Sequence, residues 1–255
     1  MIVKESFDLV AKDYSNLISN PPLEYLVLLK KIFKLKHDDS VLDLGCGSGL
    51  LTFPLNKIAK NVVGIDSSNM MLKIAKMNDT KQEIQWICQP VEKFQFGINN
   101  YNLIVAFEAF HLFTRKQDLL KSIIHSLKEN SYFAIGWCQY GWEEIFRSEI
   151  INIFSDFGIK WGTWDYVSCP DLNERIEKIH LRTSSIYRRK INHFSKYNLH
   201  DISVYLSTIQ KTHNLSKEKR VQLRDILVNV FYKKINSKYL ECNSIYWVKY
   251  FRKLK

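Results

Sequence analysis

An α/β fold, built on a largely parallel sheet with helices on both faces, is predicted from three observations. Short apolar runs alternate with amphipathic stretches over residues 41–137, the pattern that strand–helix–strand crossovers impose. The first run, Val41-Leu42-Asp43-Leu44, breaks into Gly45-Cys46-Gly47-Ser48-Gly49, a strand ending in a loop where backbone must come close to a ligand. The chain has 255 residues, of which 46% are apolar, so one large domain with a substantial core is within reach.

The first forty residues read as helical. Residues 7–16 are amphipathic, and Pro21-Pro22 starts a second helix with Leu23, Leu26, Val27 and Lys30 on one face, closed by Asp38-Asp39. Strands are expected at 41–44, 62–65, 84–88, 103–107 and 132–137, with helices from Leu50 and from Ser68. After the fourth strand, Thr114 and Gln117 form a capping-box pattern ahead of Leu119, Leu120, Ile123, Ile124 and Leu127. Beyond Trp137 the pattern loosens. A helix is expected at 143–154, an aromatic loop at 161–173, helices at 201–211 and 217–235, and strands at 186–194 and 245–251. Ligands in such sheets bind at the carboxyl ends of the strands. Asp43, Asp66, residues 88–92 and residues 107–111 all fall there.

The glycine spacing excludes the two commonest nucleotide loops. A dinucleotide fingerprint needs glycine where Leu50 stands, and no Gly-Lys-Ser/Thr follows to make a phosphate-cradling loop. Asp43, ahead of the first glycine, suits a ligand with a cationic end, because opposite charge at short range is stabilising. The second strand ends at Asp66, close to the offset of about 20 residues at which a carboxylate takes ribose hydroxyls. Ser67-Ser68 then caps a helix carrying Met70, Met71 and Ile74.

In the run V-L-D-L-G-C-G-S-G, followed by Asp66, the chain resembles the class I S-adenosylmethionine-dependent methyltransferases. The resemblance implies a Rossmann-like sheet, mostly parallel with an antiparallel last strand, flanked by helices and carrying a helical, aromatic cap after the fifth strand. It implies S-adenosylmethionine as cofactor, held by Tyr14, Asp43, Gly45, Cys46, Gly47, Asp66, Ser67, Met71, Gln89, Pro90, Val91 and Phe107. Pro90 replaces the acid that the family often places against the adenine, so Gln89 or backbone atoms take over that contact. The segment Phe107-Glu108-Ala109-Phe110-His111-Leu112-Phe113 is similar to the A-x-H-W-F stretch of the trans-aconitate-like small-molecule branch, with Leu112 in place of tryptophan. The likeness is good over 38–137 and loose after it. One methyltransferase domain is expected over 1–255: a helical lid at 1–37, the core at 38–137, a cap insertion at 138–185, and closing strands and helices at 186–255.

Methyl transfer needs in-line positioning more than covalent help, and a base only when the acceptor must lose a proton. His111, with an ordinary pKa of about 6.5, is the first candidate base and Glu108 the second. A satisfied, half-buried histidine is the competing structural role for His111. Tyr14, His111, Trp137, Tyr140 and Trp142, with Trp161, Trp164 and Tyr166, line a substrate pocket or simply pack a cap. Arg147, Arg182 and Arg188 are candidates for a substrate carboxylate.

Composition bounds the alternatives. Net charge is +11, and the excess is confined to residues 171–255, with 19 Lys and Arg against 7 Asp and Glu. Such a bias suits an anionic small substrate or, in a rival reading, RNA as the methylated molecule. A third reading is a non-catalytic protein that binds the cofactor as a partner subunit. Five cysteines show no C-x-x-C pair and no metal spacing, so neither a disulfide framework nor a metal site is expected. With no long apolar run and no signal core, the expectation is a cytoplasmic protein without a membrane span.

Overall fold

The computed structural model describes residues 8, 11, 21–114, 116–161, 172–177, 183–209, 212 and 214–255. The chain divides into two compact units: one of residues 20–138, 164–191 and 246–255, and one of residues 1–19, 139–163 and 192–245. Among the described residues no helix is long and apolar enough to cross a membrane.

The larger unit holds the parallel sheet. Its strands are β1 (Ser40–Leu44), β2 (Asn61–Asp66), β3 (Gln85–Cys88), β4 (Tyr101–Phe107) and β5 (Leu127–Gln139), followed by β6 (Tyr187–Asn198) and β7 (Tyr239–Arg252). β6 and β7 contribute residues to both units. The strand order is β3-β2-β1-β4-β5-β7-β6. The pairs β1–β2, β1–β4, β2–β3 and β4–β5 are all parallel. Order therefore reverses between β1 and β4, the switch point at which a crevice opens beyond the carboxyl ends of the strands. Val41, Leu42 and Leu44 of β1 and Leu103 to Ala106 of β4 are buried. That continuous apolarity is what a strand covered on both faces requires. The sheet closes antiparallel, as expected. The Lys253 carbonyl accepts from the Asn130 amide and its amide donates to the Ser131 carbonyl, while Thr183 bridges Lys253 in the antiparallel sense.

Helices α1 (Leu23–Phe33), α2 (Thr52–Asn56), α3 (Asn69–Asn78), α4 (Lys116–Ser126) and α7 (Leu172–Glu177) belong to this unit. Two details differ from expectation. The buried face of α1 is Tyr25, Leu29 and Phe33, whereas Leu23 and Val27 are exposed. The aromatic rings decide this, because Tyr25 packs on Phe107 and Tyr246, and Phe33 on Tyr132 and Tyr250. Thr114 does not close a box with Gln117. Its amide and hydroxyl both donate to Glu92 Oε1, at 2.7 and 2.9 Å, while Gln117 Nε2 donates to the Arg175 carbonyl. A glutamate 22 residues upstream outcompetes the local partner, and this gives Glu92 a structural role.

The smaller unit is helical: α5 (Gly141–Ile145), α6 (Arg147–Asp156), α8 (Leu199–Thr208) and α9 (Lys217–Ile235). Its core is Trp142, Phe146, Ile150, Phe154, Leu199, Ile202, Leu206, Leu223, Leu227 and Phe231. The single helix expected at 143–154 is interrupted at Phe146, whose ring stacks on Phe231 with centroids 3.9 Å apart. α9 runs over the predicted residues, capped by Ser216 and ended by Asn236 in the left-handed conformation.

Candidate functional site

The glycine loop is tied to the end of β2 by its own backbone. Gly45 and Cys46 amides both donate to the Ile65 carbonyl, at 2.8 and 3.0 Å. Gly45, Gly47 and Gly49 have φ values of 69°, 55° and 90°, a conformation that side chains with Cβ rarely adopt. Space separates the three. A Cβ on Gly45 would stand 2.5 Å from Ala109 Cβ, and one on Gly49 would meet the Phe53 and Trp86 rings. A Cβ on Gly47 would meet no atom within 4 Å. Gly47 therefore faces open space, while Gly45 shows that the segment after β4 lies directly against the loop.

Asp66 organises the entrance. Its Oδ2 accepts from the Gly47 amide and its Oδ1 from the Ser68 amide, both at 2.8 Å. Each carboxylate oxygen thus takes one backbone amide, which fixes the carboxylate beside the glycine loop. Ser68 caps α3 by accepting from the Met71 amide at 3.1 Å. Met71 is buried, and Ser67 is half-buried beside the cap. The Gln89 amide donates to the Asp66 carbonyl, Pro90 is exposed, and Val91 lies in the main core.

Asp43 is 1% exposed, and its Oδ2 accepts from Thr52 Oγ1 at 2.7 Å. Burial pushes its carboxyl up to about 7; the Thr52 hydrogen bond opposes the rise and the Asp66 charge adds to it. A site that holds a carboxyl in this state is suited to a cationic group, whose arrival restores the charged form. The Cys46 thiol is pushed well above its ordinary value by burial, then by the Asp66 and Asp43 charges. It is no thiolate nucleophile. Because the native state binds the Asp43 proton more tightly than the unfolded chain does, stability of the ligand-free protein is expected to fall as pH rises from about 4 to 7. Asp43→Asn should flatten part of that slope; urea titrations at pH 5 and pH 8 measure it, and an unchanged slope would refute the assignment.

Across from the loop, Glu108 follows β4 with φ 54°, a left-handed backbone costing about 1–2 kcal/mol for a residue with a Cβ. Its amide donates to the Gly136 carbonyl at 2.8 Å, and its Oε1 accepts from the Cys138 amide at 2.6 Å. Among the described residues Oε2 has no hydrogen-bond partner. Burial lifts this carboxyl to about 7, against the Cys138 hydrogen bond. Phe107 packs on Tyr25, and His111 is half-buried in the short turn Phe110–Leu112.

The remaining candidates scatter. Trp137 is buried in the sheet unit, stacked on Trp247 at 5.9 Å. Tyr140 and Trp142 belong to the helical unit, stacked at 5.5 Å with Tyr205 against both and Tyr197 against Tyr140. Arg147 pairs with Glu144 at 2.9 Å, and Arg188 sits over Trp247. Tyr14, Trp164, Tyr166, Cys169 and Arg182 lie outside the described residues. Sequence reasoning missed Thr52 and Tyr25. Tyr25 carried a signal in its spacing with Leu29 and Phe33; a threonine opening a short helix carried none.

Residues 42–135 match the family model described as a methyltransferase domain. The chain is 28% identical over 181 residues to a release factor glutamine methyltransferase of Buchnera aphidicola subsp. Schizaphis graminum, covering 57% of this chain and 65% of that one. It is 28% identical over 138 residues to a ubiquinone biosynthesis O-methyltransferase of Bradyrhizobium diazoefficiens, covering 51% and 53%. The chain thus spans about half to two-thirds of the length of these relatives. Its fold is similar to that of phosphoethanolamine N-methyltransferase 2 of Haemonchus contortus, solved with phosphomonomethylethanolamine and S-adenosylhomocysteine: TM-score 0.58, 16% identity, 99% of this chain and 60% of that one. The match over residues 42–135 and the likeness to these enzymes support a methyltransferase domain that takes S-adenosylmethionine. The loop fits that group: a Cβ on Gly47 would meet no atom within 4 Å, its amide is held by Asp66, and Asp43 of the preceding strand is a buried carboxyl.

Proposed function

We propose that the protein transfers a methyl group from S-adenosylmethionine to oxygen, nitrogen or carbon of a small organic molecule, in the manner of the trans-aconitate-like branch. One observation carries the reading: the Glu108–His111 segment abuts the glycine loop through the Gly45–Ala109 contact, so proton-handling groups stand beside the cofactor cradle. When bound, the cofactor supplies an electrophilic methyl on a good leaving group. Asp66, held by two amides, takes the ribose hydroxyls, and Asp43 stabilises the cationic end. The Gly47 amide is fixed by Asp66, which keeps the loop open to the ligand. Glu108 Oε1 is anchored on the Cys138 amide, which leaves Oε2 to take a proton from the acceptor. His111, two residues beyond Ala109, is the second group within that segment.

Calorimetry with S-adenosylmethionine and S-adenosylhomocysteine tests the cofactor half of the proposal. Micromolar binding is expected, and Asp66→Asn should weaken it by about 10- to 100-fold, since its amide cannot accept from both the Gly47 and Ser68 amides. No binding of either compound would sink the reading. Release of S-adenosylhomocysteine in the presence of candidate small acids, phenols and amines tests the transfer half.

A further inference from the structure

The unabsorbed feature of the sheet unit is a pair of cations on one indole. Arg188 Cζ stands 3.8 Å from the centre of the Trp247 ring and 5.4 Å from that of Trp137, while Lys190 Nζ stands 5.0 Å from Trp247. The two residues alternate along β6 and so share one face of the strand. Neither enters an ion pair among the described residues, and Arg189, on the opposite face of the strand, donates Nη1 to the Arg188 carbonyl at 2.9 Å. β6 is the last strand of the sheet, where outward charge discourages unwanted pairing. That role needs charge on the edge, but not two cations gathered over one ring. Stacking immobilises the guanidinium, and among the described residues its N–H groups have no acceptor, the geometry that takes a carboxylate or phosphate bidentately. Position agrees. Trp137 lies near the carboxyl end of β5, one residue before Cys138, whose amide anchors Glu108.

We propose that Arg188 and Lys190, seated on Trp247 and Trp137, form an oxyanion subsite that holds a carboxylate or phosphate of the methyl acceptor. This deepens the proposed function and rests on it. The acceptor is then an anionic small molecule, gripped by its charged end at β6 while its nucleophile reaches the carboxyl ends of β4 and β5. Of the three arginines considered for this purpose, Arg147 is already paired with Glu144 and Arg182 lies outside the described residues.

The test titrates the full chain with malonate and with inorganic phosphate, followed by tryptophan fluorescence and calorimetry, against potassium chloride at matched ionic strength. S-adenosylmethionine binding is measured in parallel. The expected result is saturable binding of at least one oxyanion, weakened about tenfold or more in Arg188→Met and in Lys190→Met, with cofactor affinity unchanged. Malonate alone would assign a carboxylate acceptor, and phosphate alone a phosphorylated one. The proposal is overturned if neither oxyanion binds, if chloride reproduces the response, if the variants bind as the parent does, or if only bulk tRNA binds in an Arg188-dependent way. Loss of cofactor binding in the parent protein would refute the methyltransferase reading instead, so the two failures are distinguishable.

Discussion

Glu108→Gln is expected to lower turnover by about 10²- to 10⁴-fold, the usual contribution of a positioned acid or base. The substitution keeps size, shape and the Oε1 acceptor for the Cys138 amide, so the fold is retained and the lesion is confined to the proton. With the parent carboxyl lifted to about 7, activity should rise with pH through that value and level above it, because only the ionised form takes a proton. In the glutamine variant the step disappears. His111→Asn provides the contrast: if it removes the step near 7 and Glu108→Gln does not, the base is His111 and the assignment of Glu108 falls. An acceptor that reaches the site already ionised would need neither residue, and both variants would then turn over near the parent rate.

Gly45 and Gly47 are expected to fail in different ways. Gly45→Ala places a Cβ 2.5 Å from Ala109 Cβ, nearer than real Cβ atoms approach, in a backbone with φ 69°. Left-handed strain of about 1–2 kcal/mol and overpacking of about 1–3 kcal/mol act together on a site built between strand ends. That sum is a large part of the stability of an ordinary domain, about 5–15 kcal/mol, so aggregation or a strongly lowered melting temperature should follow. Gly47→Ala carries the strain without the clash, since no atom lies within 4 Å of the added group. Its melting temperature should drop only modestly while cofactor affinity falls by at least about a hundredfold, or about 2.7 kcal/mol. Thermal denaturation and calorimetry on the same two proteins separate these outcomes. Equal cofactor affinity in Gly47→Ala and the parent would mean that the ligand does not occupy this space.

Much of the fold was readable in the chain because strands buried on both faces announce themselves as apolar runs, as residues 41–44 and 103–107 do. The antiparallel close of the sheet followed from resemblance and is carried by Lys253 against Asn130 and Ser131. What could not be read were choices between partners of equal local merit. Thr114 had a glutamine three residues on, yet its hydrogen bonds went to Glu92. Leu23 and Val27 looked like a core face, yet the rings of Tyr25 and Phe33 had larger surfaces to bury. Among the described residues, Trp137 falls in one core and Tyr140, Trp142 and Trp161 in the other, because periodicity says which side of its own element a ring faces and nothing about what covers it.

By itself, the sequence determined the glycine loop. A strand, an early acid, alternating glycines and an acid at the end of the next strand are local features whose geometry is dictated by backbone sterics and short-range charge. Only tertiary structure decided that the Glu108–His111 segment lies on that loop, that Asp43 is lifted to about 7 by burial beside Thr52, and that Arg188 rests on an indole 59 residues further along the chain. Burial, pairing and stacking depend on groups distant in sequence, so they come into being when the strands assemble in the order β1-β4-β5-β7-β6.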